Sequence, residues 1–269
     1  MTDSLKKQIL ALLLCICSFS YAQKNIFNGK TLEGWHLMKN SPEQTYVSLE
    51  DNFYVQEQAI TCKQMKNKKG ALILSDKEYA DFELELDFKS DWGCDSGIFL
   101  RTDEKGRGLQ ILNDFLKEGC IGYLFSQGAG GYISRPIRLY KENGKVIAKD
   151  IYDGKQRDRL NHSVKAAEWN KLWKQDSWNH IKIRCVGNQP ILTTWINGVK
   201  IMELDGTTYQ GRQLMYKDGE WKGAGEKWNQ KKVQKITQGK GMIGLQIHPG
   251  GRWKKGGVAQ YKNITIKEL

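Results

Sequence analysis

The chain lacks several features that mark common protein classes. None of its six cysteines forms a CxxC pair, which argues against a structural zinc site. No nucleic-acid-binding motif accompanies the formal net charge of +12. Internal repeats, Gly/Ser linkers and a convincing helical periodicity are also absent from the sequence. The positively charged residues are densest in residues 63–69 and 221–240. They indicate either a soluble basic surface or a binding site for an acidic glycan.

The first 22 residues have the composition of a secretory signal peptide. Two lysines precede an apolar stretch from Ile9 to Ile16, and Ser20-Tyr21-Ala22 resembles a cleavage site. The apolar stretch is too short to span a bilayer. We therefore expect export to the periplasm or the medium, and a mature chain of residues 23–269 that forms one domain without a membrane segment.

Four cysteines would remain after this cleavage: Cys62, Cys94, Cys120 and Cys185. An oxidising compartment permits disulfides, and four cysteines allow three pairings. Their pairing is left open by the sequence.

The stretch from Asp81 to Asn113 carries the clearest secondary-structure signal. Residues 82–88, FELELDF, alternate between apolar and acidic side chains, as in a strand with one buried and one solvated face. Short strands at 96–101 and 109–112 follow after turns, which predicts an antiparallel meander. Roughly a dozen such strands along the chain predict an all-β, antiparallel two-sheet β-sandwich. Two long loop excursions, residues 127–175 and 205–238, interrupt it.

Five motifs in chain order resemble those of one family. They are FNGKTLEGW (27–35), DFELELDFK with DSGIFLR (81–101), LQILND (109–114), WNHIKIRCVGNQPILTTWINGVKI (178–201), and GMIGLQIHPG with VAQYKNITIKEL (241–269). The chain resembles the domain-of-unknown-function 1080 family, also called the 3-keto-disaccharide hydrolase domain, from about Asn25 to its end outside the excursions. Asp95 stands where that family has Asn, and the order Asn113-Asp114 also departs from its pattern. These departures bear on substrate preference more than on fold.

The resemblance implies a concanavalin-like jelly roll that acts on glycosides whose C3 hydroxyl has been oxidised to a ketone. It also implies a functional partner, an exported sugar C3 oxidoreductase. A C3 ketone acidifies the C2 proton, so that a base can remove it and the C1 substituent can leave; water can then add. Such a site needs a base near C2 and a partner for the enolate oxygen. No cofactor is certain, although a divalent metal ion could polarise the ketone instead.

Three residues are candidates for the catalytic groups. His248 would share a strand face with Gln246, and it is the first candidate for the base or for a metal ligand. Gln246 would hydrogen-bond a sugar hydroxyl. His162 in the first excursion is the second candidate, and Asp87 matches an acidic position of the family. The alternatives are a structural histidine, an exposed loop residue and a solvated carboxylate, respectively.

Six further side chains are candidate substrate contacts: Arg101, Gln110, Asp95, Ser96, Trp92 and Trp253. The arginine could bind the enolate oxygen or a sugar hydroxyl, or form an ion pair with Asp87 or Glu85. The glutamine could contact hydroxyls, or belong to a polar ladder. The Asp-Ser pair could bind sugar or cap a turn. The tryptophans could stack on a pyranose ring, although aromatic residues in sandwiches are more often core.

Two other functions remain open at this stage. A non-catalytic carbohydrate-binding module would use the same fold and the same polar and aromatic face. A glycosidase with paired carboxylates needs two carboxyl groups that flank one bond. Glu85 and Asp87 do not meet that need, because both lie on one face of one strand, so this reading ranks last.

Overall fold

The computed structural model describes residues 22–39, 46–128, 134–210, 215–217, 220–222 and 228–269. The predicted signal peptide, except Ala22, lies outside these residues. Within the described ranges, no helix is both long and apolar enough to cross a membrane.

Short strands dominate the described chain. In chain order they are β1 (Lys24–Asn25), β2 (Trp35–Leu37), β3 (Phe53–Gln56), β4 (Ala59–Cys62), β5 (Ala71–Tyr79), β6 (Phe82–Ser90), β7 (Cys94–Thr102), β8 (Gly108–Phe115), β9 (Ile121–Gln127), β10 (Ile137–Glu142), β11 (Lys145–Asp150), β12 (His162–Ser163), β13 (Asn179–Val186), β14 (Ile191–Ile196), β15 (Val199–Asp205), β16 (Met215–Lys217), β17 (Glu220–Lys222), β18 (Gly241–Ile247) and β19 (Ala259–Glu268). Three short α-helices accompany them: α1 (Gly154–Arg157), α2 (Ala166–Leu172) and α3 (Gln230–Thr237).

Two antiparallel sheets form the sandwich that the sequence predicts. The larger has nine strands in the order β12-β15-β14-β13-β6-β19-β4-β3, with β1 beside β19. The smaller has six strands in the order β2-β5-β18-β7-β8-β9. Alternate residues of each central strand point into one shared core, as the strand period of two requires. On β6 the apolar residues from Phe82 to Phe88 are buried, and the acidic residues between them are half-buried on the other face.

One tight hairpin turn of the larger sheet lies at Asn197-Gly198. It joins β14 to β15, and both turn residues have a positive φ, 49° for Asn197 and 83° for Gly198. Asn and Gly tolerate that backbone region at the lowest cost, which is why this pair favours a tight hairpin turn.

The first excursion contains more regular structure than the predicted loop. Residues 127–175 include the β10-β11 hairpin, α1, β12 and α2. Helix α2 holds Trp169, which is fully buried and stacks on Trp173 with ring centroids 5.1 Å apart. A helix of seven residues spans only about two turns, too few for its period to stand out in the sequence. In the second excursion, the described residues include the β16-β17 hairpin and α3.

All four predicted mature cysteines are buried free thiols. Burial raises the pKa of Cys94 and of Cys120 to about 12. These thiols are therefore protonated at neutral pH and behave as small apolar core groups.

Candidate active site

The outer face of the six-stranded sheet carries a polar cleft at one end of β7, β8 and β18. The cleft has a volume of about 260 Å³ and is lined by Tyr46, Asp95, Gln110, Leu112, Asp114, Phe125, Gln127, Arg135, Gln246, His248 and Arg252. Four of the predicted site residues meet there, namely Asp95, Gln110, Gln246 and His248. Gln246 and His248 are two residues apart on one strand and so share a face. The alternating residues Leu245 and Ile247 point inward and are fully buried.

His248 stands at the end of β18 with its imidazole oriented by the main chain. Its backbone N–H donates to the carbonyl of Asp95 over 3.1 Å, which holds this end of the chain against β7. Its ring Nδ1 lies 2.7 Å from the carbonyl oxygen of Pro249. Because a carbonyl only accepts, Nδ1 carries the proton and Nε2 is the basic nitrogen of the neutral ring.

Two buried carboxyl groups lie side by side under the arginines of the cleft. Asp95 on β7 and Asp114 on β8 are direct cross-strand partners, and both are at least 98% buried. Arg252 donates from Nε to Asp95, and Arg135 donates from Nη2 to Asp114. Arg252 also reaches toward the second carboxyl group, with Nη2 3.9 Å from its Oδ2. Two ionised carboxylates in such direct opposition would repel each other.

One proton on the pair removes that repulsion. Burial and the neighbouring Asp95 charge raise the pKa of Asp114 well above its usual value. Burial would raise the pKa of Asp95, but the charge of Arg252, the charge that His248 carries when protonated, and the neighbouring Asp114 outweigh it and lower that pKa. Among the described residues, the buried Oδ1 of Asp114 has no hydrogen-bond partner, so no donor at this oxygen stabilises a second negative charge. Below the raised pKa of Asp114, the two arginines therefore face a single negative charge.

Asp114→Asn is expected to stabilise the protein increasingly as pH rises. A raised native pKa contributes stability below the unfolded carboxyl pKa, and this contribution is lost as pH rises toward the raised native value. Asparagine cannot ionise, so its advantage over wild type grows by about 1.4 kcal/mol per pH unit across that window. Denaturant unfolding at several pH values measures it. Asp87→Asn, on the other sheet, is the control, and parallel pH profiles for wild type and Asp114→Asn would contradict the shared proton.

A chain of buried amides forms the floor of the cleft. Gln110 donates from Nε2 to Oε1 of Gln246 over 2.8 Å, and Gln246 donates from Nε2 to the Tyr46 hydroxyl over 2.5 Å. Burial raises the pKa of Tyr46 to about 12, so this phenol stays neutral. The chain fixes both amide orientations and presents a preformed polar surface to a ligand.

Gly97 makes room for that floor. A Cβ at this position of β7 would lie 2.1 Å from Nε2 of Gln110. The side chain of Gln110 on β8 can lie across β7 only because residue 97 has no side chain.

Gly97→Ala is expected to cost about 1–3 kcal/mol of unfolding free energy, because it forces the Gln110 amide out of its hydrogen bond. Gly251→Ala is the matched control, since a Cβ there meets nothing within 4 Å. Denaturant unfolding of both variants checks this. Equal stability of the two variants would show that the amide chain adjusts freely.

Arg101 lies outside the cleft, contrary to the prediction. In the β7-β18 pairing Phe99 faces Gly244 and Thr102 faces Met242, so two residues of β7 oppose one of β18. Arg101 sits in this bulge with φ of 48°, and its side chain turns inward and is fully buried. It donates to the carbonyls of Ala80 and Gly187 and to the Asp81 carboxylate, at 2.7–2.8 Å. The bulge reverses the simple alternation, and the alternative ion pair to Asp87 or Glu85 is also wrong, because Arg101 pairs with Asp81.

Ser96 is likewise structural. It precedes Gly97 and points between the sheets, where its hydroxyl lies 2.5 Å from the carbonyl oxygen of Gln246 and 2.7 Å from the Tyr261 hydroxyl. The prediction grouped it with Asp95, but adjacent strand residues point to opposite faces.

The other two catalytic candidates do not join His248. Asp87 lies on the outer face of the nine-stranded sheet, where it accepts from Asn263 over 2.7 Å and lies 3.2 Å from Nδ1 of His180. His162 begins the edge strand β12, and its Nε2 lies 3.0 Å from the Lys200 carbonyl oxygen. Both lie on the other sheet, away from the cleft.

The two tryptophans lie beside the cleft. Trp92 packs edge-on against Phe115, with ring centroids 5.2 Å apart. Trp253 is buried and donates from Nε1 to the Gly257 carbonyl over 2.8 Å. Neither lines the cleft, although Trp253 directly follows Arg252 and lines an adjacent groove.

Seven of the cleft residues were missed by sequence reasoning, and four of these supply its phenol, second carboxyl group and two guanidinium groups: Tyr46, Asp114, Arg135 and Arg252. Asp114 could have been found, because it follows Gln110 by four residues on the same strand face. Arg252 lies four residues beyond His248 in a Gly-rich turn, a weaker signal. Tyr46 and Arg135 reach the cleft from distant segments that have no periodic pattern. Within the described residues, no group of three or more His, Cys, Asp or Glu side chains is arranged to hold a metal ion.

Comparison with solved structures finds similar chains, and the one with a TM-score above 0.5 supports the fold. Two crystal structures from Parabacteroides distasonis, both provisionally described as glycosyl hydrolases, are similar to this chain. The first is 20% identical with a TM-score of 0.53 and covers 92% of this chain and 100% of its own. The second is 15% identical with a TM-score of 0.48, and the match covers 100% of this chain and 98% of the second structure's chain. No curated protein sequence matches the chain.

The five sequence motifs are explained by one family. The model of the 3-keto-alpha-glucoside-1,2-lyase-like domain matches residues 22–267, which include every described residue of the cleft. This chain therefore belongs to the 3-keto-alpha-glucoside-1,2-lyase-like family.

Proposed function

We propose that this protein cleaves the glycosidic bond of 3-keto-glycosides by elimination across C1 and C2, with or without later hydration. The observation that carries the proposal is that the basic nitrogen of His248 and the guanidinium of Arg252 line the same cleft. The family description supports the choice of bond, since a 1,2-lyase acts between these two carbons.

The charges of the cleft suit an enolate. While Asp114 keeps its proton and Asp95 is ionised, these two carboxyl groups and the guanidinium groups of Arg135 and Arg252 sum to one positive charge. A second ionised carboxylate would cancel it. Fixed charge of this sign, placed before the reaction begins, stabilises negative charge that develops on the substrate.

The reaction then follows from the positions of the groups. Nε2 of His248 takes the C2 proton, and the electron pair of the broken C–H bond delocalises onto the C3 oxygen, opposite the Arg252 guanidinium. The enolate collapses to form the C1–C2 double bond and expels the C1 oxygen, which takes the proton from the imidazolium. Asp95 stabilises the imidazolium while it exists. Addition of water across the double bond would complete a net hydrolysis.

A substrate pair tests the proposal. Residues 23–269 are incubated with a 3-keto-glucoside and with its unoxidised parent, with and without chelator, and aglycone release is followed. Release from the keto sugar alone is expected, and it should persist with chelator because the scheme uses protein groups. Loss with chelator would assign ketone polarisation to a metal ion. Binding by calorimetry without release from either sugar would instead support a carbohydrate-binding module.

The cellular setting is part of the proposal. The substrate must first be oxidised at C3, so we propose a sugar C3 oxidoreductase as the functional partner. Residues 1–22 are proposed to direct export. Mass spectrometry of the protein from its native host should then find a mature chain that begins at Gln23; a retained Met1 would contradict export by cleavage.

A further inference from the structure

A basic groove adjoins the cleft. It has a volume of about 670 Å³ and lies between the loop of residues 63–68 and the loop of residues 250–256. Met65 and Trp253 provide its apolar floor, and its rim consists of exposed lysines: Lys63, Lys66, Lys68, Lys254 and Lys255. Within the part of the chain that the structure describes, no carboxylate lines the groove.

The rim lysines differ from most charged groups on the sheets. On the nine-stranded sheet, for example, Lys182 lies 2.9 Å from Glu83 and 3.4 Å from Glu85. Among the described residues, none of the five rim lysines has a carboxylate within ion-pair distance. Five uncompensated cations around an apolar floor are complementary to an anion that also has an apolar face.

The groove is connected directly to His248. Gln64 donates from Nε2 to the carbonyls of His248 and Gly250, at 2.8 and 3.1 Å. The backbone N–H of Gly250 donates to the carbonyl oxygen of Lys68 over 2.8 Å. Two consecutive residues line the two sites: Arg252 lines the cleft, and Trp253 lines the groove. One extended ligand could therefore occupy both.

We propose that the groove binds an anionic oligosaccharide, bearing carboxylate or sulfate groups, that continues from the keto sugar in the cleft. The identity of the ring in the cleft rests on the proposed function. Sugar rings present C–H faces that pack on an apolar floor, while their charged substituents reach the lysine rim. The volume is that of a typical ligand site. Nucleic acid is the competing polyanion, but continuity with the cleft favours a saccharide.

Calorimetry at low salt with unoxidised probes tests this binding. The probes are trigalacturonate, its methyl ester and a sulfated trisaccharide with its unsulfated parent, so that the carboxylate and sulfate arms are separated. At least one charged probe should bind, its neutral counterpart should not, and Lys254→Gln/Lys255→Gln should weaken binding by about tenfold or more. Lys231→Gln/Lys235→Gln on α3 removes the same charge and should leave binding unchanged.

Three results would overturn the groove assignment. These are equal weakening in both double variants, no binding of either charged saccharide, and groove-dependent binding of a single-stranded DNA 12-mer without saccharide binding. Cleavage of a neutral 3-keto-glucoside is measured in the same variants and should not change. Cleavage of the keto sugar without saccharide binding in the groove would support the proposed function and contradict the groove assignment. Saccharide binding in the groove without cleavage would support the groove assignment and contradict the proposed function.

Discussion

His248→Asn is expected to lower turnover of a 3-keto-glucoside by about 10²–10⁴-fold, with substrate binding largely retained. The asparagine amide can still donate toward the Pro249 carbonyl, as the ring Nδ1 does, but it has no basic nitrogen in place of Nε2. The variant therefore removes the proposed base with little change in packing. Steady-state kinetics for turnover and calorimetry for binding separate the two effects.

His162→Asn is the matched control for this experiment. It makes the same replacement at the edge of the nine-stranded sheet, where the ring contacts the Lys200 carbonyl. Its turnover should equal that of the wild type. Full activity of His248→Asn, or a large loss in His162→Asn, would remove the assignment of the base to the cleft.

Arg252→Gln is expected to lower kcat/KM by about 10²–10³-fold, because it removes the cation proposed to stabilise the enolate. The change also takes away the charge-assisted hydrogen bond to Asp95. Loss of that neighbouring charge should raise the pKa of Asp95 and shift the acidic limb of the pH profile to higher pH. Kinetics across a pH series detects both changes.

Two further variants serve as controls for the Arg252→Gln experiment. Arg252→Lys keeps the charge but not the planar guanidinium, so it should recover part of the activity. Arg184→Gln removes a half-exposed arginine from the opposite sheet and should leave activity unchanged. Thermal unfolding of each variant shows whether it is folded. A folded Arg252→Gln with wild-type kinetics would exclude enolate stabilisation by this residue.

Part of the candidate site could be predicted because strand alternation is a strong constraint. Gln246 and His248 were assigned to one face from the apolar residues between them, and Gln110 from its neighbours on β8. That β8 and β18 both flank β7 with these faces aligned is a property of the sheet order, which alternation does not encode. Each of these residues lies in the cleft because a one-residue slip would bury it in the core.

The remaining residues depend on features that alternation does not encode. Arg101 reverses direction at a bulge, where its backbone takes φ of 48°. The coupling of Asp95 to Asp114 depends on the register of β7 against β8, which places them directly opposite. Tyr46 and Arg135 come from segments far apart in sequence, and only tertiary packing brings them to the amides and carboxyl groups. Long-range contacts of this kind leave no local pattern.

The most direct test of C2 proton abstraction is NMR of the wild-type reaction in D2O. The earliest product is compared with the slow exchange of the same product without enzyme. The proposed elimination predicts either an enone without hydrogen at C2, or a hydrated 3-keto sugar that carries deuterium at C2 in proportion to the aglycone released. Early product that retains protium at C2 would mean that the glycosidic bond breaks without deprotonation, and would contradict the role assigned to His248.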